Sequence, residues 1–425
     1  MKSRIICFCI VNTCLKSMLW KVIRQKVYNS AGSIHIVFNE SQSLTEVIQG
    51  IIFQKYYKHS TFLSSVMADI ISLFSGCGGL DLGFEQVGDY TTVWANDFKH
   101  EACVSFRNHF GDVIVEGDIE KIDPYNNSDV PECDLVLGGF PCQDFSIIWK
   151  QPGLNGERGN LYKSFLRFVD AKKPKAFVAE NVKGILTANK KKAIEQIIKD
   201  FQSIEPGYIV KPKLYNFAEY GVPEYRERVL IVGIRVDTGF NFEHPNPTHG
   251  NREGLLPLVT VGEAFKDVEK VKANNEYIRC NERTKKIISL ISEGGNFTDI
   301  PKDSPYYVKG MISHVYRRVK LDEPSKTIIA AGGGGTWGYH YPENRPLTNR
   351  ERARIQSFPD DFIFYGNTTE VRRQIGNAVP PVGVHALAKA LKPLFTGDYE
   401  KVDLNDELNL LKNMPFEERY SHIFK

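Results

Sequence analysis

The sequence predicts an α/β protein built on a doubly wound sheet, and three observations carry that expectation. From Asp69 to Arg235, apolar runs of strand length alternate with segments of helical spacing, the pattern that winds helices over both faces of a sheet. The first run ends in a glycine-rich turn, Ser75-Gly76-Cys77-Gly78-Gly79, ahead of a helix from Leu80. A later run, Leu135 to Leu137, leads into Gly138-Gly139-Phe140-Pro141-Cys142-Gln143 and leaves a thiol at a strand's exit. Ligands of open α/β sheets bind outside the carboxyl ends of the strands, so both segments are candidate site elements.

Taken in order, strands are expected at 69–74, 91–96, 113–115, 134–138, 175–180, 209–215 and 228–235, with helices at 161–171 and 190–204. In the turn after the first strand, glycines admit positive φ and let backbone N–H groups approach a ligand closely. A dinucleotide fingerprint would need glycine at position 81, where the chain has Asp81. Between Ser146 and Gly159 the chain is polar and glycine-rich without periodicity, which predicts a loop that closes over the thiol and carries Lys150 and Arg158. Thr348, with Glu351 three residues on, predicts a capped helix start, and a further helix is expected over 384–394.

Chemistry enters with a second strand exit, where Ala176 to Ala179 runs into Glu180-Asn181-Val182. Two parallel strands would present Cys142 and Glu180 together. A thiolate adding to an electron-poor ring needs a nearby acid to hydrogen-bond the ring nitrogen, so the pair suits conjugate addition. The bland alternatives are a small buried cysteine and a carboxylate that caps the turn after its strand.

With these residues in hand, the chain resembles the DNA (cytosine-5)-methyltransferases of bacterial restriction–modification systems. The resemblance rests on an ordered set: Asp69 to Glu85, Asn96-Asp97-Phe98, Gly117-Asp118-Ile119, Pro141-Cys142-Gln143, Glu180-Asn181-Val182, Arg226-Glu227-Arg228, Arg345 to Pro359 and Gln374 to Pro380. It covers about Met67 to Leu394. It implies a mostly parallel sheet with an antiparallel last strand, and S-adenosyl-L-methionine as cofactor with no metal. The implied cofactor residues are Phe74, Gly76, Cys77, Gly78, Gly79, Asp97, Phe98, Asp118, Ile119, Pro141, Asn377 and Val379. Asp97 would accept from ribose hydroxyls, Phe98 would stack on adenine and Asp118 would take its amino group; helix capping is the alternative for both aspartates. Cys142 would attack C6 of a cytosine flipped out of double-stranded DNA, and Glu180 would assist at N3. Arg228 would bind the base carbonyl, and Arg226 would hold the nucleophile loop or a phosphate, with a structural salt bridge as the alternative for either arginine.

The resemblance further implies a monomer in the bacterial cytoplasm that protects DNA from a cognate restriction endonuclease. One departure stands out: Glu224 occupies the place of a glutamine, and a carboxylate cannot donate an amide hydrogen bond. The closest rivals are a tRNA cytosine-5 methyltransferase and an inactive DNA-binding relative. The first lacks its Cys-Phe-Thr marker here, and the second is opposed by the retained Cys142, Glu180, Arg226 and Arg228.

Composition sets bounds on these readings. The chain has 425 residues, 42% hydrophobic and 25% charged, enough for one large domain and a smaller one. Net charge is +3, but the first 66 residues alone carry 8 Lys and Arg against 2 Glu, so the remainder is slightly acidic. DNA contacts must therefore come from a local basic surface, and Tyr316-Arg317-Arg318-Val319-Lys320 is the basic run expected to meet phosphates or guanine edges, a solvated basic face being the alternative. Eight cysteines without C-x-x-C spacing fit a reducing compartment. The expected layout is a basic leader at 1–66, a catalytic and cofactor domain at 67–240, and a smaller target-recognition domain at 241–345. A return segment at 346–395 completes the catalytic domain, ahead of a charged tail at 396–425. Met67, two residues before the first strand, is expected to be the biological start, or else the leader is dispensable.

Overall fold

Continuous apolar runs in the sequence become strands buried on both faces. The computed structural model describes residues 67–140, 161–309, 313–330 and 336–421. Its elements begin with β1 (Ala68–Leu73), α1 (Gly79–Glu85), β2 (Tyr90–Asp97), α2 (His100–Phe110), β3 (Ile114–Glu116), β4 (Leu135–Gly138) and α3 (Leu161–Lys172). There follow β5 (Ala176–Val182), α4 (Lys192–Gln202), β6 (Tyr208–Asn216), β7 (Glu224–Tyr225) and β8 (Glu227–Arg235). Then come α5 (Val261–Phe265), α6 (Glu282–Ser289), β9 (Ser325–Lys326), α7 (Asn349–Ile355), α8 (Thr368–Asn377), α9 (His385–Thr396), α10 (Asn405–Asn413) and α11 (Phe416–Arg419).

Seven strands make one sheet in the order β3-β2-β1-β4-β5-β8-β6. Pairs among β1 to β5 are parallel, whereas β8 runs antiparallel to both β5 and β6. The expected mixed sheet is thus present, with its antiparallel strand slotted between two others rather than left at an edge. Side chains on a strand alternate faces, so a strand covered twice must be apolar throughout. Phe177 and Ala179 accordingly face the core under α3 and α4, with Phe165, Phe168, Ile197 and Phe201. Ala176 and Val178 face the opposite core under α1 and α9, with Leu80, Phe84, Leu387 and Leu391.

The chain moves outward from β1 to β2 and β3, then resumes at β4 on the other side of β1, which makes the β1/β4 boundary a topological switch point. Register aligns the strand exits there: Leu73 is level with Asn96 and with Gly138, and Gly138 is level with Ala179. One edge of the sheet therefore presents the glycine turn, Asp97, Gly139 and Glu180 together.

From 241 to 345 regular structure is sparse, and β9 adds only a two-residue parallel pairing to β7. Within the stretch read from sequence as a basic face for phosphates, Arg318 needs correction. It is 4% exposed, and its guanidinium donates to the carbonyls of His340, Ile288, Ile291, Pro342 and Glu343, which knits irregular backbone together. The capped helix start is present: Thr348 and Glu351 form a reciprocal capping box on α7.

The tail, to which sequence assigned no role, packs against the sheet. Leu404 and Leu408 meet Ile209 and Val236, while the Tyr420 hydroxyl donates to the Val210 carbonyl at 3.0 Å. These contacts cover β6, an edge strand whose unpaired backbone would otherwise offer a template for aggregation. Among the described residues, no helix is long and apolar enough to cross a membrane.

Candidate active site

The glycine turn leaves β1 through two left-handed residues, Phe74 at φ 55° and Gly76 at φ 56°, and Gly78 at φ 89° turns the chain into α1. Among the described residues, no atom beyond the turn's own neighbours lies within 4 Å of where a Cβ on Gly76 would sit, so they leave this part of the turn open. Asp97, at the exit of β2, braces the turn. One carboxylate oxygen accepts from the Gly76 N–H at 2.8 Å and the other from the Lys99 N–H at 2.8 Å. Burial raises its pKa against the pull of those donors. Phe98, the next residue, leaves its ring 65% exposed. Asn96 ties β2 to the third exit by donating to the carbonyls of Val115 at 2.9 Å and Gly117 at 3.1 Å.

Asp118 is exposed and caps the short turn after it, accepting from the Glu120 N–H at 3.0 Å, while Ile119 is buried. Asp118 thus caps this turn through one carboxylate oxygen, Oδ1. Cys77 is buried in an apolar cluster with Leu82 and Phe358, and burial pushes its thiol up to about 12, so any contact with a ligand comes from its backbone. Val379 returns from far along the chain: a Cβ on Gly79 would lie 2.4 Å from its carbonyl oxygen. Asn377 ends α8 exposed beside it. Pro141 and Cys142 lie outside the described residues, as does the expected loop at 146–159.

At the exit of β4, Gly139 leaves room for Glu180, whose Oε2 lies 2.9 Å from the Cβ position of that glycine. Glu180 Oε1 accepts from Arg228 Nε at 2.9 Å, with both side chains largely buried at 13% and 15% exposure. The antiparallel register that pairs Val182 with Arg228 produces this contact. Burial raises the Glu180 pKa, and Arg228 beside it pulls the other way. Asn181, quoted in the sequence pattern but given no role, holds the segment before Pro141 by donating to the Phe140 carbonyl at 2.9 Å. The only signal available for it was adjacency to Glu180.

Arg226 is 1% exposed, and its donors go to main-chain carbonyls: Gly376 at 2.9 Å, Ala378 at 3.0 Å and Ile328 at 3.4 Å. Among the described residues a phosphate contact finds no open guanidinium, and the carbonyls held belong to Ile328, Gly376 and Ala378; the nucleophile loop that sequence gave it to hold lies outside the described residues. The partner of Arg226, Glu224, which sequence left off the site, is fully buried at 3.9 Å.

The profile of the C-5 cytosine-specific DNA methylases matches residues 68–393. The Type II methyltransferase M.NgoFVII of Neisseria gonorrhoeae is 67% identical over 362 residues, 85% of this chain and 96% of that one. The chain belongs to the C-5 cytosine-specific DNA methylase family. The Type II methyltransferase M.BbvI of Brevibacillus brevis is a second relative, 39% identical over 76% of this chain and 90% of its own. Among solved structures, a prophage-encoded E. coli protein assigned as a DNA modification methyltransferase superposes with a TM-score of 0.60 at 21% identity. That match covers 77% of this chain and 99% of the other. Fold, enzyme class and restriction–modification kinship of the methylase thus agree with the sequence reading, and family and fold together imply S-adenosylmethionine. The residues at the switch point fit that group: an open glycine turn, a buried carboxylate bracing it, and an exposed aromatic ring beside it.

Proposed function

We propose that the methylase transfers a methyl group to C5 of a cytosine within a specific double-stranded DNA sequence, through a covalent bond between Cys142 and C6. What supports the reading most is Glu180, held by Arg228 against the strand exit that leads three residues on to Cys142. The target edge of cytosine is buried in the duplex, so the base is rotated into the site at a cost of a few kcal/mol.

The Cys142 thiolate adds to C6 while Glu180 hydrogen-bonds N3, which draws electrons from the ring and leaves C5 nucleophilic. S-adenosylmethionine, when bound, supplies an electrophilic methyl group at that carbon. Loss of the C5 proton then restores the double bond, breaks the sulfur–C6 bond and frees Cys142. Raised by burial, Glu180 holds a proton more readily than a free carboxyl does, and Arg228 keeps it oriented and reaches the base carbonyl. Phe74, Gly76, Gly78, Gly79, Asp97, Phe98, Asp118, Ile119, Asn377 and Val379 would hold the cofactor, together with Pro141 and the backbone of Cys77; no metal enters. Residues 241–345 would read the target sequence. The protein would act as a monomer in the cytoplasm and protect DNA from a partner endonuclease.

Transfer of tritiated methyl groups to duplex DNA and to tRNA tests the reading, with Cys142→Ser as control. Methylation of duplex DNA alone, lost in the variant while S-adenosylmethionine still binds, is the expected result. Appreciable turnover in the variant, or methylation of tRNA alone, contradicts it.

A further inference from the structure

Glu224, singled out in the sequence for standing where the resemblance implies a glutamine, is buried beside Arg226 and has no part in the mechanism above. It and Arg226 are two residues apart on an extended segment, so their side chains share a face. On that face they grip both main-chain groups of one distant residue. Glu224 Oε1 accepts from the Ile328 N–H, and Arg226 Nη1 donates to the Ile328 carbonyl at 3.4 Å. The β7–β9 ladder stops after Tyr225 and Lys326. One step on, the Thr327 hydroxyl donates to the Tyr225 carbonyl at 2.8 Å, and the Glu224–Arg226 grip follows. Side chains thus continue a strand pairing that the backbone has abandoned.

The same guanidinium holds the end of α8 through Gly376 and the Ala378 carbonyl. Gly376 is pressed against the segment that follows β9, since a Cβ there would lie 2.5 Å from the Ala330 nitrogen. Three segments therefore meet at one point: the start of β8, which carries Arg228; the stretch 325–330; and the end of α8, which leads to Val379. Glu224 also lies 3.9 Å from the Arg226 guanidinium, which Glu180 and Arg228 influence as well.

We propose that Glu224 is a positioning residue: through the Ile328 main chain it fixes the 325–330 segment of the recognition region against β8, so that bound DNA is presented in register with Glu180 and Arg228. The inference rests on residues 241–345 being the recognition region. Its role is to accept from the Ile328 N–H, which glutamine can also do and alanine cannot.

The test compares wild type, Glu224→Gln and Glu224→Ala in full-length protein. It measures KM for duplex DNA, kcat, S-adenosylmethionine affinity by calorimetry, and hydrogen exchange of peptides spanning 325–330. In Glu224→Ala, the DNA KM rises about tenfold, the effect expected when a buried N–H loses its acceptor, with kcat changed much less. Cofactor affinity stays within about twofold and exchange at 325–330 accelerates, while Glu224→Gln remains near wild type. An unchanged DNA KM in Glu224→Ala overturns the proposal. So does a parallel loss of cofactor affinity, or a Glu224→Gln variant as impaired as alanine. Should the alanine variant fail to fold, Thr327→Val probes the adjacent rung of the same junction, and an unchanged DNA KM there is equally fatal. Failure of the wild type to methylate duplex DNA would instead defeat the functional reading, so the two are separable.

Discussion

Glu180 works under two opposed influences, burial that favours its acid form and Arg228 that favours its charged form. Glutamine could still donate to the ring nitrogen but could not take up and release a proton as charge moves. Glu180→Gln is therefore expected to lower kcat by at least about a hundredfold, the usual worth of a positioned acid, with cofactor binding intact. Single-turnover methylation measures it, and retention of more than about a tenth of wild-type kcat contradicts the role. A second buried acid answers to pH instead. Asp81, fully buried on α1, accepts a long hydrogen bond from Thr92 Oγ1 at 3.4 Å, and burial raises its pKa to about 7 against the pull of the Ser72 and Thr92 hydroxyls. The folded protein then binds this proton more tightly than the unfolded chain does. Its contribution to stability is greatest below about pH 4, its unfolded value, and is lost as pH rises through about 7. Thermal midpoints measured across that window should fall for wild type, and more shallowly for Asp81→Asn; identical slopes would exclude Asp81 as the source.

Helix α1 is held by contacts that only glycine permits. A Cβ on Gly79 would lie 2.4 Å from the Val379 carbonyl, and one on Gly83 would lie 2.4 Å from the Pro381 carbonyl. Backbone cannot yield as a flexible side-chain end can. Gly83→Ala should therefore cost about 1–3 kcal/mol, the range for overpacking, and weaken cofactor binding by displacing the segment that carries Val379. Urea denaturation and calorimetry would show both; a variant as stable as wild type means that the return segment packs elsewhere. At this scale the sequence was most readable. Burial on two faces forces continuous apolar runs, so each of the seven expected strands lies within about two residues of its observed position, and the Thr348 cap could be read from two residues. β9 left no signal, being two residues long within irregular chain.

Over the whole molecule, legibility falls with sequence separation. Arg226 was readable as part of a motif, but the carbonyls it donates to lie 102, 150 and 152 residues away, so little in the local sequence announced that it is spent on main chain. Arg318 misled for the same reason, because a basic run looks alike whether it meets solvent or buried carbonyls. The tail offered no readable role for want of a strong apolar face: its packing relies on a few residues, chiefly Leu404, Leu408, Phe416 and Tyr420. Removing residues 397–425 uncovers β6 and that apolar surface, at about 1.5–3 kcal/mol for each buried side chain. The truncated protein should melt at a lower temperature and aggregate on concentration, as scanning calorimetry and light scattering would reveal; an unaltered melting temperature contradicts the packing role. The bond between Cys142 and the cytosine ring is the central step of the proposed reaction. Duplex DNA carrying 5-fluorocytosine at the methylated position, incubated with S-adenosylmethionine, should become covalently attached to the protein, with the adduct on Cys142 by peptide mass spectrometry. Methylation of the ordinary substrate without such an adduct, or an adduct on any other residue, would contradict the account.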